Sequence, residues 1–416
     1  MPDAHVVAIV GGACAGSTAA EILAQKGVKV VVFEQNPKPY GKIEDGLPRW
    51  HKIQRRKEYE RIDERLSHDN ITFVPLTKLG EDIQFDELVN EWGFSAVLLA
   101  NGAWKDRPLE VEGVDEYLDR GLIYQNPFIY WFNHKNEKDY DGPQYEVLPG
   151  TAIIGGGLAS IDVVKAVQME LYEKALKERG IECDMYELEH KGITAFCEKH
   201  DLDPESLGVE DAALYYRRRK VDMPLAEPKD RSPEALEKVQ MVRKKILDKA
   251  MEEFRFDYQE RHLPVDKIVE DGRLAGLVFV RTEVDGRKAI PLEGTEKEVR
   301  FPLVISSIGS VPEPIPGIEM TGAYYKFADW DLGIYEGAED VYGVGNTVTG
   351  QGNIRLSVKH GEVVAHHVAD ELEKKDKLPE EKVEEVFERV EERQKAVGYT
   401  GEYRAWVEAM TPPDLE

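Results

Sequence analysis

The chain begins with an unbroken apolar run after His5, Val6-Val7-Ala8-Ile9-Val10. Such a run, lacking polar alternation, predicts a strand covered on both faces in a parallel sheet. A glycine-rich turn, Gly11-Gly12-Ala13-Cys14-Ala15-Gly16, follows, and Ser17 to Gln25, rich in Ala and Leu, reads as a helix that Gly27 stops. Val28 to Phe33 is a second buried strand, which completes a βαβ unit. Further apolar runs predict strands at 71–74, 96–100, 151–154, 213–216, 267–269, 274–281, 288–291, 301–309 and 340–346. Helical spacing predicts helices at 161–169, 233–254 and 355–373, and another carrying Val383, Val386, Phe387, Val390 and Val397 on one face. Strands alternating with helices predict an α/β protein of doubly wound, three-layer, Rossmann-like modules.

The turns between these elements carry the chemistry. In Gly11–Gly16 the small residues lie between a buried strand and a helix, and Glu34 closes the next strand 23 positions after Gly11. A dinucleotide pyrophosphate sits on such a helix N-terminus, where free N–H groups and the helix dipole favour an anion. The acid then accepts hydrogen bonds from a ribose 2′-OH. Ala13 holds the second glycine position, and its methyl pushes the phosphate slightly outward. A second signature, Gly155-Gly156-Gly157-Leu158-Ala159-Ser160, starts 144 positions later, with Ser160 in place of the third glycine and Asp162 in the first turn of the helix. Two fingerprints require two sheets, hence two dinucleotide-binding domains. The next strand after the second fingerprint is delayed to Ala213–Tyr216, so the helical stretch at about 170–211 reads as an insertion. That strand ends in Arg217-Arg218-Arg219-Lys220 with no acid, which favours a nucleotide bearing a 2′-phosphate, NADP(H), over NAD; a solvated basic strand end is the alternative.

Composition narrows the possibilities. The 416 residues contain 42% hydrophobic and 32% charged positions, a globular composition with room for two or three domains. The net charge of −26 makes nucleic acid and anionic membranes poor partners. No apolar run approaches the ~18 residues of a membrane span, and the N-terminus does not read as a signal peptide, so a cytoplasmic location is expected. Cys14, Cys183 and Cys197 lie too far apart in sequence for a CxxC pair, a four-cysteine zinc site or a cysteine-ligated iron–sulfur cluster, and no metal site is expected.

In this order the motifs resemble those of the flavoprotein reductases with two dinucleotide-binding domains, most closely the adrenodoxin reductase and glutamate synthase small-subunit branch. Gly11, Ala13, Cys14, Ala15, Gly16 and Glu34 match the FAD fingerprint, and Pro39-Tyr40-Gly41-Lys42 through Gly46 and His51 resembles the family's loop after the second strand. Leu99-Ala100-Asn101-Gly102-Ala103 resembles its ATGA strand end, with Asn101 replacing Thr. Gly155 to Ser160 resembles the NADPH fingerprint, and Tyr216-Arg217-Arg218 through Met223-Pro224 the family's YRR…MP segment. Ile308-Gly309, Gly345-Asn346 and Gly352-Asn353-Ile354 match the returning FAD half, and the Trp406 tail its C-terminus. Cys14 and Asn346 stand where relatives usually carry Pro and Asp.

The resemblance implies an FAD domain formed by residues 1–105 and 301–416, with an NADPH domain, 106–300, inserted into it. It implies hydride transfer from NADPH to flavin N5 and onward electron transfer to a small carrier such as a ferredoxin. No catalytic acid–base side chain is required for the hydride step. His51 matches a family position and could relay a proton, though a plain loop histidine is the commoner role. The basic stretch Arg49, His51, Lys52, Arg55, Arg56, Lys57 and Arg61 is a docking patch or a solvated helix face. Two other readings stand: a flavoprotein subunit of a larger redox complex, with the insertion as partner surface, and a flavoprotein that senses nucleotides without turnover. The oligomeric state and the electron acceptor are not encoded in any motif.

Overall fold

The computed structural model describes residues 2–350 and 352–411; Gln351 of the expected 347–354 loop and the ends of the expected first domain, Met1 and 412–416, lie outside them. The chain divides into two compact units, Met1–Lys105 with Ser310–Glu416, and Asp106–Gly309.

The first unit begins with β1 (Val6–Val10), α1 (Cys14–Gln25) and β2 (Lys29–Phe33), followed by α2 (Lys52–Leu66), β3 (Ile71–Val74) and β4 (Ala96–Leu99). Every residue of β1 and β4 is buried, as their unbroken apolar runs require. The helix starts three residues earlier than its Ala/Leu pattern suggests, so Cys14-Ala15-Gly16 forms its first turn. A Cβ on Gly16 would lie 1.8 Å from the Gly11 carbonyl oxygen, so only glycine permits this approach of helix to turn.

The second unit contributes β5 (Leu122–Tyr124), α3 (Gln125–His134), β6 (Ala152–Gly155), α4 (Leu158–Glu178), α5 (Met185–Lys191), α6 (Ile193–Lys199), β7 (Ala213–Tyr216), α7 (Pro233–Phe254) and β8 (Asp257–Glu260). It continues with β9 (His262–Glu270), β10 (Arg273–Asp285), β11 (Lys288–Pro291), β12 (Lys297–Arg300) and β13 (Val304–Ser307). One sheet has the order β5-β13-β6-β7-β8 and is parallel throughout. The other joins β10 antiparallel to β9, β11 and β12. The segment expected to open the returning half of the first domain, from Phe301, therefore belongs here: Val304 pairs with both Leu122 and Ala152, which makes β13 a central strand of this unit. Asp162 falls beyond the first turn of α4, which carries no acid.

The chain then re-enters the first unit with β14 (Phe327–Asp329), β15 (Ile334–Tyr335), β16 (Val341–Gly343), α8 (Ile354–Leu372), α9 (Glu380–Ala396) and α10 (Tyr403–Ala409). Its sheet runs β14-β15-β16-β4-β1-β2-β3. On one face α1 packs on α8, with Ala19, Ala20 and Leu23 in one cluster with Val364, Ala365 and Val368. Gly361 allows this closeness, since a Cβ there would lie 2.8 Å from the Ala15 carbonyl oxygen. The helix α10 clamps the segment after β2: Trp406 Nε1 donates to the Pro37 carbonyl (2.7 Å), and Tyr403 and Tyr40 both donate to the Asp63 carboxylate (2.6 and 3.1 Å).

Gly16 of the first fingerprint and Gly157 of the second differ in how tightly they are held. Nothing lies within 4 Å of a Cβ built on Gly157. Gly16→Ala is expected to cost about 1–3 kcal/mol through overpacking, whereas Gly157→Ala should cost less than about 1 kcal/mol, as a change at a helix N-cap. Equal melting temperatures for the two variants would refute the difference.

Candidate functional site

In the first unit three chain segments end side by side. Gly11 (φ +102°) donates its N–H to the Phe33 carbonyl (2.7 Å), and a Cβ on it would lie 2.5 Å from the Ala100 carbonyl oxygen. The turn thus touches the ends of β2 and β4. The third end, after β16, meets it as well: a Cβ on Gly345 (φ +68°) would lie 2.4 Å from Ala15 Cβ. Gly102 N–H donates to Thr347 Oγ1 (2.8 Å), which ties the strand end Asn101-Gly102 to the bend Gly345-Asn346. Asn101 Nδ2 donates to the buried Tyr325 hydroxyl (2.9 Å). Asn346 Oδ1 accepts from Gly352 N–H (2.8 Å), and Asn353 caps α8 by accepting from Leu356 N–H (3.2 Å). The amide of Gly352, one of the residues matched to the returning FAD half, is thus bonded within its own loop, ahead of Ile354, the first residue of α8.

The helix α1 begins at Ala13 with no capping side chain and no acid in its first turn, so its free N–H groups suit an anion. Gly41 lies against Ala13, where a Cβ would stand 3.1 Å from the Ala13 methyl. Beside it Lys42 Nζ donates to Ser310 Oγ (3.0 Å). Glu34 is buried, and its two oxygens accept from Gly12 N–H (2.9 Å) and Asn36 N–H (3.0 Å). The acid expected to face a ribose is thus also the brace of the turn. Burial pushes its carboxyl up to about 7 against the two backbone bonds that oppose the rise. Burial, aided by Glu58, pushes the Cys14 thiol up to about 12, which leaves it unreactive near neutrality.

Three cations of the basic stretch have partners on their own helix or in the preceding loop. Arg55 is buried and donates to the Leu47 carbonyl (3.0 Å) and the Tyr59 hydroxyl; Arg56 pairs with Glu60 (3.0 Å) and Arg61 with Glu58 (2.6 Å). This removes Arg55 from any docking surface. His51 Nε2 accepts from Trp50 Nε1 (3.1 Å).

In the second unit α4 starts at Gly157, again with neither capping side chain nor first-turn acid, and Leu158 and Ala159 are exposed. A Cβ on Gly155 would lie 2.4 Å from the Ser307 carbonyl oxygen, and one on Gly156 only 2.1 Å from the Tyr216 ring. Ser160, buried, donates to the Gly157 carbonyl (2.7 Å) and fixes the turn. At the end of β7 Arg218 Nε donates to the Tyr216 hydroxyl (2.8 Å) and Nη2 to the Asp222 carbonyl (2.8 Å); both acceptors are neutral. Arg217 is exposed. An acid does stand near: Asp222, six positions past the last residue of β7, takes Arg219 bidentately (2.8 and 2.9 Å). Lys220 pairs with Asp248. Of the four cations, then, Arg217 and Arg218 retain guanidinium charge for an incoming anion. The role of Tyr216 was not legible from the sequence, because it depends on the ring folding back onto Gly156.

Comparisons with known proteins agree with this architecture. A family model described as NAD(P)-binding Rossmann-like domain matches residues 9–48. The glutamate synthase [NADPH] small chain of Bacillus subtilis (strain 168) is 26% identical over 375 residues, 87% of this chain and 66% of that one. A probable ferredoxin/ferredoxin–NADP reductase of Mycobacterium bovis is 31% identical over 177 residues, 41% of this chain and 28% of that one. The chain therefore spans less than two thirds of the length of either curated relative. Mycobacterium tuberculosis FprA, solved in complex with NADPH, superposes with a TM-score of 0.72 at 18% identity, over 94% of this chain and 91% of that one. The fold is the doubly wound α/β fold of FprA, and the resemblance to the two-domain reductases read from the motifs holds. No helix among the described residues is long and apolar enough to cross a membrane.

Because the folded Glu34 carboxyl titrates above its unfolded value, the unfolded state releases its proton first. Stability attached to Glu34 is present below about pH 4.5 and declines as pH rises to about 7. Glu34→Gln should remove a decline on the order of 3 kcal/mol between pH 5 and 8 in chemical denaturation of the cofactor-free protein. Parallel curves for wild type and variant would exclude a titrating Glu34.

Proposed function

We propose that this chain is a flavin-dependent NADPH oxidoreductase that passes electrons to a small one-electron carrier of the ferredoxin type. FAD would be held in the first unit by Gly11, Ala13, Cys14, Ala15, Gly16, Glu34, Gly41, Lys42, Asn101, Gly102, Gly345, Asn346, Gly352, Asn353 and Ile354. NADPH would be held in the second by Gly155 to Ser160 with Arg217 and Arg218. The observation that carries the reading is the pair of uncapped helix N-termini with opposite chemistry beside them: a buried carboxylate after β2, and after β7 an exposed Arg217 with Arg218 hydrogen-bonded to neutral acceptors. The first suits a ribose diol and the second a 2′-phosphate. When bound, the two groups supply hydride transfer from nicotinamide C4 to flavin N5 and release of electrons to the carrier.

The chain's own residues bind and orient. The amides of Cys14–Gly16 and of Leu158 and Ala159 would donate to phosphate oxygens, Glu34 fixes the turn that presents the first set, and Tyr216 holds the Arg218 guanidinium. Cys14, Cys183 and Cys197 are all free, which suits a reducing compartment, the cytoplasm. The alignment with a glutamate synthase small chain along 87% of this chain favours a second reading, a flavoprotein subunit of a larger redox complex. Co-purification from native extracts separates the two: a stable complex with a large partner selects the second.

The purified protein is expected to bind FAD, and anaerobic NADPH should bleach the flavin band. A protein that takes up no flavin, or whose flavin NADPH leaves unreduced, would end the proposal. Arg218→Ala should raise KM for NADPH by roughly 10–100-fold, the worth of a charge-assisted pair. KM for NADH should stay unchanged, and an equal rise for both nucleotides would remove Arg218 from 2′-phosphate recognition.

A further inference from the structure

One imidazole stands behind the three strand ends and belongs to none of the motifs. His360 lies in α8, one residue before the Gly361 crossing over Ala15. Its Nδ1 faces Gly345 N–H at 2.9 Å, and its Nε2 faces the Trp330 carbonyl at 3.2 Å. An amide N–H can only donate and a carbonyl can only accept, so the ring is neutral with its proton on Nε2. Gly345 is the residue that presses on Ala15 in the first turn of α1, and its carbonyl starts the next turn by accepting from Val348 and Thr349 (3.1 and 3.0 Å). Just before it, Val344 N–H donates to the Leu99 carbonyl (2.9 Å). His360 therefore holds the Gly345 N–H, at the junction between the end of β16 and the bend beside α1.

We propose that His360 is a positioning residue for the flavin site: it seats the Gly345–Thr347 bend against the start of α1, and its protonation unseats that bend. This rests on the reading that the first unit holds the flavin. An imidazolium carries N–H on both nitrogens, so Nδ1–H would confront Gly345 N–H, donor against donor. Asp331 is the charged group facing the ring and favours the imidazolium, but burial outweighs it and holds the imidazole below its ordinary value. The residues one turn away on α8, Leu356, Ser357, Val363 and Val364, are neutral, as are Gly345, Asn346 and Thr347 on the bend. A histidine with a lowered folded value contributes stability that is complete above about pH 6.5 and is lost as pH falls. The bend is thus seated at neutral pH and loosened in acid.

The test uses the full chain with FAD, with release read by flavin fluorescence between pH 5 and 8. The wild type should lose affinity toward pH 5. His360→Asn keeps an acceptor near the δ position that takes no proton, so it should bind within a few-fold of wild type at pH 8 with a flatter profile. His360→Phe removes the acceptor and should weaken binding about tenfold at pH 8, the worth of one buried amide left unpaired. Wild-type affinity in His360→Phe, or one pH slope shared by wild type and His360→Asn, overturns the proposal. Hydrogen exchange of the 341–350 segment without flavin tests the bend separately: it should be faster in His360→Phe than in wild type at the same pH, and equal rates overturn the proposal even if His360→Phe binds FAD weakly. A wild type that takes up no flavin would instead refute the reading of the first unit.

Discussion

The structure depends on the distance at which a helix can begin above the end of a parallel strand. At Gly11 and Gly16, and again at Gly155, backbone approaches backbone so closely that a methyl group has no room. This crowding brings the first amides of α1 and α4 down to the strand ends, where an anion can reach several at once. The remaining site features serve that approach. Glu34 braces the first turn from beneath, Ser160 ties the second turn to itself, and Gly345 and Gly361 let two later segments close around the start of α1.

Charge acts locally in this molecule. Acidic residues outnumber basic ones by 26, yet screening at physiological salt limits the reach of that excess to about 8 Å. What an incoming phosphate meets is decided within one or two side chains. Arg219 and Lys220 stand in the same run as Arg217 and Arg218, but carboxylates neutralise them. Likewise α2 looks strongly basic in sequence, although Arg55, Arg56 and Arg61 already have partners on the helix or in the preceding loop. A basic run reports a net charge only after its neighbours have been subtracted.

The legible parts of this protein are those set by short-range rules. The βαβ pattern, both glycine turns and the place of Glu34 at the end of β2 could be read because strand, turn and helix lie within about thirty residues of one another. The delayed strand at Ala213 could be read only from its own apolar run. Contacts between distant segments were not legible. The Phe301–Gly309 strand looks like any buried strand, and only its pairing with Leu122 and Ala152 assigns it to the second unit. The partners of Arg55 and the reuse of the Gly352 amide are set by side-chain positions that spacing does not encode. His360 left one faint trace, the adjoining glycine in a helical run, which marks a close crossing without saying what crosses.

The central pairing of the first unit joins β4 to β16, with Val97 beside Val341 across more than two hundred intervening residues. The second unit is continuous from Asp106 to Gly309. During synthesis, therefore, the later-starting unit is the first to have all its strands, while β1, β2, β3 and β4 wait as a half-sheet with the β4 edge open. Closure of that edge comes only when β16 emerges, and the clamp of α10 on Asp63 and Pro37 comes later still. A stalled or truncated chain would leave a sticky apolar edge exposed, so the order in which this polypeptide is made is also the order of its vulnerability to aggregation.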